Sequence, residues 1–149
     1  MSTAASSHTL EKRDYVIKEL VETEKNYIEV LQNLQKYFMR PLQSQILAKE
    51  HSIIFGNIKV IFFKYLLPNI NFSVQELTDV HTNFYSKLQE AVAHSSQSGR
   101  RLGEVFIFCK SHFLIYGDYC ANLPLAQELL HDMCAKSEVL TQVLEVTSH

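Results

Sequence analysis

KELVETEKNYIEVL, Lys18 to Leu31, lies inside a long apolar-periodic run from about Thr9 to Phe38. Val16, Leu20, Thr23, Tyr27, Leu31, Leu34 and Phe38 recur at steps of four or three, which places them on one stripe of a helix. That stripe is the expected core face. At 100° per residue Glu24 falls roughly 55° from its centre, with Val21 at i−3 and Ile28 at i+4. A carboxylate among apolar neighbours is either a solvated rim residue or part of a docking surface, and spacing alone favours the rim. Lys18, Glu22, Lys25, Asn26 and Glu29 form the outward face.

On either side the chain reads as further helices. Met1 to His8 is small and polar and is expected to be a disordered leader, with Thr9 as the N-cap of a helix ending at Met39 or Arg40, before Pro41. A second segment starts near Lys49 and carries Ile54 and Ile58 in helical phase; Leu77, His81, Phe84 and Leu88 resume the pattern later. Removing Val60 to Gln75 joins the two halves without a break in phase, whereas a continuous helix through these sixteen residues would rotate the second core face by about 160°. The inserted segment 60–75 is therefore expected to loop out or form a separate short helix, and Ser73-Val74-Gln75-Glu76 offers a capping box for the restart. His94 to Arg101 is a loop by composition. A third long helix is expected from Leu102 to Cys120, then a turn at Asn122 and Pro124, then a last helix carrying Leu129, Met133, Leu140 and Leu144.

The bulk numbers agree with an all-α fold, an elongated helical bundle with short connections. The 149 residues fit one domain, and only 4 glycines and 3 prolines argue against a sandwich or barrel. A net charge of −2 leaves no electrostatic footprint for nucleic acid. The longest apolar run, Ile53 to Leu67, is too short to span a bilayer and contains Lys59 and Lys64, so no direct membrane insertion is expected. Three cysteines without an apolar leader imply a reduced, cytoplasmic setting.

Catalytic motifs are missing: there is no phosphate-cradling glycine loop, no G-x-S-x-G and no H-E-x-x-H. Cys109-x-x-His112 and His131-x-x-Cys134 could in principle supply a tetrahedral zinc set. Cys109 lies on an apolar stripe, however, and reads as a small buried hydrophobe, so no metal or cofactor is expected. His81 reads as a core-edge histidine, Tyr27 and Phe38 as core anchors, and Met133 as a gap-filler.

KRDYVIKELVETEKNYIEVLQNLQKYFMRPLQ, Lys12 to Gln43, resembles the first conserved region of Dbl homology domains, the all-helical exchange domains that act on Rho-family small GTPases. The matching pattern is E-L-x-x-T-E-x-x-Y-x-x-x-L followed by Pro41-Leu42. IIFGNIK joined to ELTDVHTNFYSKL is similar to the family's second long helix, which is continuous where 60–75 is inserted here. VFIFCKSHFLIYGDYC, Val105 to Cys120, is similar to the Vav branch.

The resemblance implies a partial Dbl homology domain over 9–149 that promotes GDP release from a Rho-family small GTPase without making or breaking a bond. It implies that Glu24, flanked by Val21 and Ile28, contacts the GTPase switch I region. No Q-R-x-x-x-Y-P-L-L-L helix, the family's third conserved region, occurs in Asn122 to His149. Weak exchange is therefore expected of this polypeptide, with possible self-association through an exposed C-terminal stripe of Leu129, Met133 and Leu140. The alternative is a non-catalytic helical interaction module or truncated product.

The codons at the ends of the insert generate one prediction. Valine codons begin with GT and one glutamine codon is CAG, the usual intron ends, so Val60 to Gln75 fits a translated, retained intron. Transcripts omitting these codons are the expected outcome, and a full set of transcripts that all contain them removes the idea.

Overall fold

The structure, a computed structural model, describes residues 4–55, 74–93 and 98–147. Helix α1 runs over Ala4–Leu34 and continues through one π turn, Gln35–Met39, into a last helical turn, Arg40–Leu42. Helices α2 (Ala48–Phe55), α3 (Val74–Ala93), α4 (Ser98–Cys109), α5 (Ile115–Lys136) and α6 (Glu138–Thr147) follow. The described residues form an all-α bundle.

Helix α1 begins at Ala4, ahead of the expected start at Thr9; the first three residues of the expected leader lie outside the described residues. No Gly or Pro interrupts this stretch, and a nucleated helix propagates through Ala4 and Ala5 at little cost. At its other end the helix outruns the expected stop. Pro41 has no N–H to give an α-helical carbonyl, and the π turn widens the ladder just before it: the Arg40 N–H bonds the Gln35 carbonyl, five residues back. The Met39 carbonyl accepts a 2.7 Å hydrogen bond from His51 Nε2 on α2, which ties the end of α1 to the next element.

The buried face of α1 is rotated from the expected stripe. Val16 is 60% exposed and Thr23 is exposed, while Ile28, Leu31 and Gln35 are buried. Polar residues explain the rotation. Gln35 Nε2 donates to Thr78 Oγ1 at 2.6 Å and to the Val74 carbonyl at 3.2 Å, and Glu24 pairs with His81. These contacts run α1 antiparallel to α3, with residues 24 and 35 facing 81 and 78. An apolar-only pattern omits both pairs and so misplaces the centre of the face.

Helix α3 follows its expected phase, with Leu77, His81, Phe84 and Leu88 all buried. Of the insert 60–75, only Val74 and Gln75 fall among the described residues, and they are the first residues of α3; the expected excursion and Ser73 lie outside them. Of the loop expected over His94 to Arg101, the part from Ser98 on is helical instead and leads directly into the apolar period of Leu102, Val105 and Cys109, while 94–97 lie outside the described residues.

The long helix expected through Cys120 is broken instead at residues 110–114, by a 3₁₀ turn at His112–Leu114. That break lets Phe113 reach Phe84, ring centroids 5.2 Å apart, while Val105 and Cys109 pack on the same cluster. Conversely, Pro124 starts no new helix and sits inside α5 on an exposed position, where water can take the carbonyl its missing N–H would have bonded. Asn122, expected in a turn, is buried and donates from Nδ2 to the Ile53 carbonyl at 2.9 Å, capping the end of α2.

The last helix is also divided. Ser137 is extended (φ −134, ψ 104) and its Oγ accepts the Leu140 N–H, so α6 starts afresh after it. The break carries Leu140 into the core, with Met133 and Leu144 packed against the same cluster. The stripe expected to stand exposed is therefore largely covered, and Val139 and Val146 are the exposed apolar residues of α6.

Two apolar clusters result. One gathers Leu31, Leu42, Phe55, Val74, Leu77 and Leu140; the other gathers Phe84, Leu88, Ala91, Val105 and Cys109. Leu88 has no exposure at all. Leu88→Ala is expected to cost about 2–5 kcal/mol in chemical denaturation, by lost transfer energy and a residual cavity; a loss below about 1 kcal/mol would show that the second cluster collapses freely around the gap.

Candidate functional site

The boundary between the two clusters is polar. On α1, Leu20 and Val21 belong to the second cluster and Tyr27 and Leu31 to the first, with Glu24 between them. On α3, His81 lies between Leu77 and Phe84; on α5 and the turn before it, Tyr116 and Phe113 fall on opposite sides of the same line. The helices thus bring one carboxylate, one imidazole and two phenols together where a continuous core would have apolar groups.

Their hydrogen bonds form a chain. His81 Nδ1 donates to Glu24 Oε1. His81 Nε2 lies 2.6 Å from the Tyr116 hydroxyl, and that hydroxyl lies 2.8 Å from the Tyr27 hydroxyl. Since Tyr27 is one turn along from Glu24 on α1, the chain begins and ends on the same helix. The imidazole is enclosed by ring edges: Tyr27 at 4.6 Å, Phe113 at 5.5 Å and Tyr116 at 5.7 Å between centroids. Burial, then the bond with Tyr27 and the nearby Glu24 charge, holds the Tyr116 phenol well above its usual range. Burial does the same to Tyr119, and the phenols stay protonated.

The site residues expected from sequence therefore lie further inward. The Glu24 side chain is only 12% exposed and that of His81 8%, so Glu24 is no solvated rim residue. Val21 is half-buried in the second cluster and Ile28 is buried. Spacing places His81 at the core edge; it is in fact buried, with both ring nitrogens engaged. The polar roles of Tyr27 and Tyr116 escape sequence reasoning. The available signal was that an acid and a histidine both fell next to apolar stripes, where a buried charge needs a partner.

The Cys/His spacing assembles nothing. Among the described residues, no three His, Cys, Asp or Glu side chains come together in a way that could hold a metal ion. Burial raises the Cys109 thiol above its ordinary range against the opposing pull of Lys87, which suits a packed hydrophobe better than a thiolate ligand.

The RhoGEF domain family profile matches residues 16–149. Protein vav of Drosophila melanogaster is 35% identical over 144 residues, which cover 97% of this chain and 16% of that protein. The human guanine nucleotide exchange factor VAV3 is 28% identical over 136 residues, covering 91% of this chain and 14% of its own length. This chain thus spans a small part of the relatives it matches. A solved structure of the Vav1 exchange factor that includes PH and C1 domains superposes with a TM-score of 0.77 at 29% identity, over 93% of this chain and 33% of that one.

The phenols generate a pH prediction. A phenol held above its ordinary range contributes stability that is fully present below the unfolded value near ~10 and is lost as pH rises beyond it, since the unfolded chain then releases protons that the folded chain keeps. Melting temperature is expected to fall through this alkaline range, and Tyr116→Phe to flatten the fall. Phenolate absorbance showing every tyrosine ionising in the ordinary range contradicts this.

Proposed function

The chain belongs to the RhoGEF, or Dbl homology, domain family, and from that premise we propose that it is a guanine nucleotide exchange module for Rho-family small GTPases, promoting GDP release. Binding energy would be spent on the switch regions of the GTPase, favouring its nucleotide-free form. Differential affinity drives release, and no bond is made or broken in the process. The chain is on this reading a regulator of a GTPase and works in the cytoplasm.

The observation that carries the reading is the T-E-x-x-Y motif of Thr23, Glu24 and Tyr27 on α1, within the matched residues. Glu24 is the proposed switch I contact, with Val21 and Ile28 flanking it. A carboxylate there can accept hydrogen bonds from backbone amides and hydroxyls of a docked partner, in a surface that dries on association. The geometry tempers the strength of that interaction. Glu24 is engaged by His81, and Ile28 offers little area, while a specific interface usually needs about 800 Å² per partner. Exchange by the 149-residue polypeptide is accordingly weak in this reading.

A second reading rests on α4, where Phe106, Ile107 and Phe108 stand 46%, 67% and 59% exposed. Such a patch suits a helical interaction module that exchanges nothing. A pull-down separates the two. Preference for nucleotide-free GTPase that Glu24→Ala reduces at least tenfold supports exchange ancestry kept as function; capture indifferent to nucleotide state and to Glu24 supports the module. In a release assay the isolated polypeptide is expected to accelerate GDP loss only slightly.

A further inference from the structure

The way Glu24 is held bears on how the site is regulated. An ionised carboxylate can only accept hydrogen bonds, so His81 must supply the proton between them from Nδ1. The ring has no freedom to turn away. Its other nitrogen is 2.6 Å from the Tyr116 hydroxyl, that hydroxyl is backed by Tyr27 at 2.8 Å, and the ring edges of Tyr27, Phe113 and Tyr116 close around it. The donors that a docking partner would offer Glu24, amides and hydroxyls, are the same chemistry as the Nδ1–H. With Oε1 held by the imidazole and the side chain 12% exposed, a partner's donors engage the whole carboxylate only if it turns outward.

We propose that His81, held in place by Tyr116 and Tyr27, is a latch on Glu24: an internal hydrogen-bond donor that a docking GTPase must displace. This rests on the reading of Glu24 as the partner contact. His81 is then a positioning residue acting through Glu24, and the affinity of the site is lowered by whatever the latch contributes. Because the chain of bonds passes from α1 through α3 to α5 and back to α1, anything that moves α5 relative to α3 weakens the latch, and docking loosens the hold on α5 by the same amount.

The full chain tests this with binding to a nucleotide-free Rho-family GTPase. His81→Phe keeps a ring in the aromatic enclosure and removes the donor, and is expected to bind about tenfold more tightly than the unsubstituted chain. His81→Asn, whose amide can donate from nearly the same position as Nδ1, is expected to restore the original affinity. Glu24→Ala should abolish the tighter binding of His81→Phe. Tyr116→Phe frees the far side of the ring, and a smaller gain of about threefold is expected.

Nitrogen-15 spectra of the histidine rings supply a readout without any GTPase. His81 is expected to be protonated at Nδ1 in the unsubstituted chain, with that signal shifted in Glu24→Ala. Equal or weaker binding by His81→Phe, with Glu24 dependence intact, overturns the latch and leaves the exchange reading standing. If His81→Phe does not fold, Tyr116→Phe binding no more tightly than the unsubstituted chain overturns the latch in its place. A ring protonated only at Nε2 also overturns the latch. Absence of Glu24-dependent binding in every variant overturns the exchange reading and the competition with it, even where the ring spectra show the hydrogen bond itself.

Discussion

The hydrogen bond from His81 to Glu24 constrains much of this bundle. A carboxylate and an imidazole set between two apolar clusters are tolerated only if each satisfies the other, since removing one partner of a buried pair typically costs about 3–5 kcal/mol, and somewhat less where a little water reaches it. That requirement sets the register of α1 on α3. Gln35 bonding Thr78 and Val74 repeats the constraint about three turns along α1 and one to two turns along α3, and the two points together oppose sliding of one helix on the other. Tyr116 and Tyr27 extend it to α5. The apolar clusters supply most of the driving force for folding, while the polar band determines which of several similar helix packings is adopted.

Much of this was legible in the residues. The all-α class, α1 as the organising helix and the phase of Leu77, His81, Phe84 and Leu88 followed from periodicity, and the family from the resemblance carried by Lys12 to Gln43 and the later helices. The failures share a physical cause. Periodicity counts apolar residues, so it cannot see that Glu24 and Gln35 turn inward, because their burial depends on partners about forty to sixty residues away. Proline rules describe an isolated helix. Pro41 is absorbed by a π turn and Pro124 by an exposed position within α5, whereas the break expected near Pro124 occurs at 110–114, where Phe113 must enter the core. Ser137, with no helix-breaking proline or glycine beside it, interrupts the helix and brings Leu140 into the core.

An exchange module has to present a surface whose best complement is an unstable state of its partner. If Glu24 is the docking carboxylate proposed above, an internal partner suits that requirement, because engagement then needs a donor good enough to replace the imidazole. The same arrangement makes the empty site weak, which is the character proposed for this polypeptide. On the proposed reading fold and function share one set of atoms, with Glu24 serving the packing of α1 on α3 until a docking partner competes for it.

Hydrogen exchange of the chain with and without a nucleotide-free Rho-family GTPase tests the central claim most directly, because it locates the docking surface without altering any residue. The account predicts slowed exchange in α1 around Thr23 to Ile28, together with faster exchange in α5 around Tyr116 as the latch opens. Slowing confined to Phe106 to Phe108 on α4, with α1 and α5 unchanged, would contradict it.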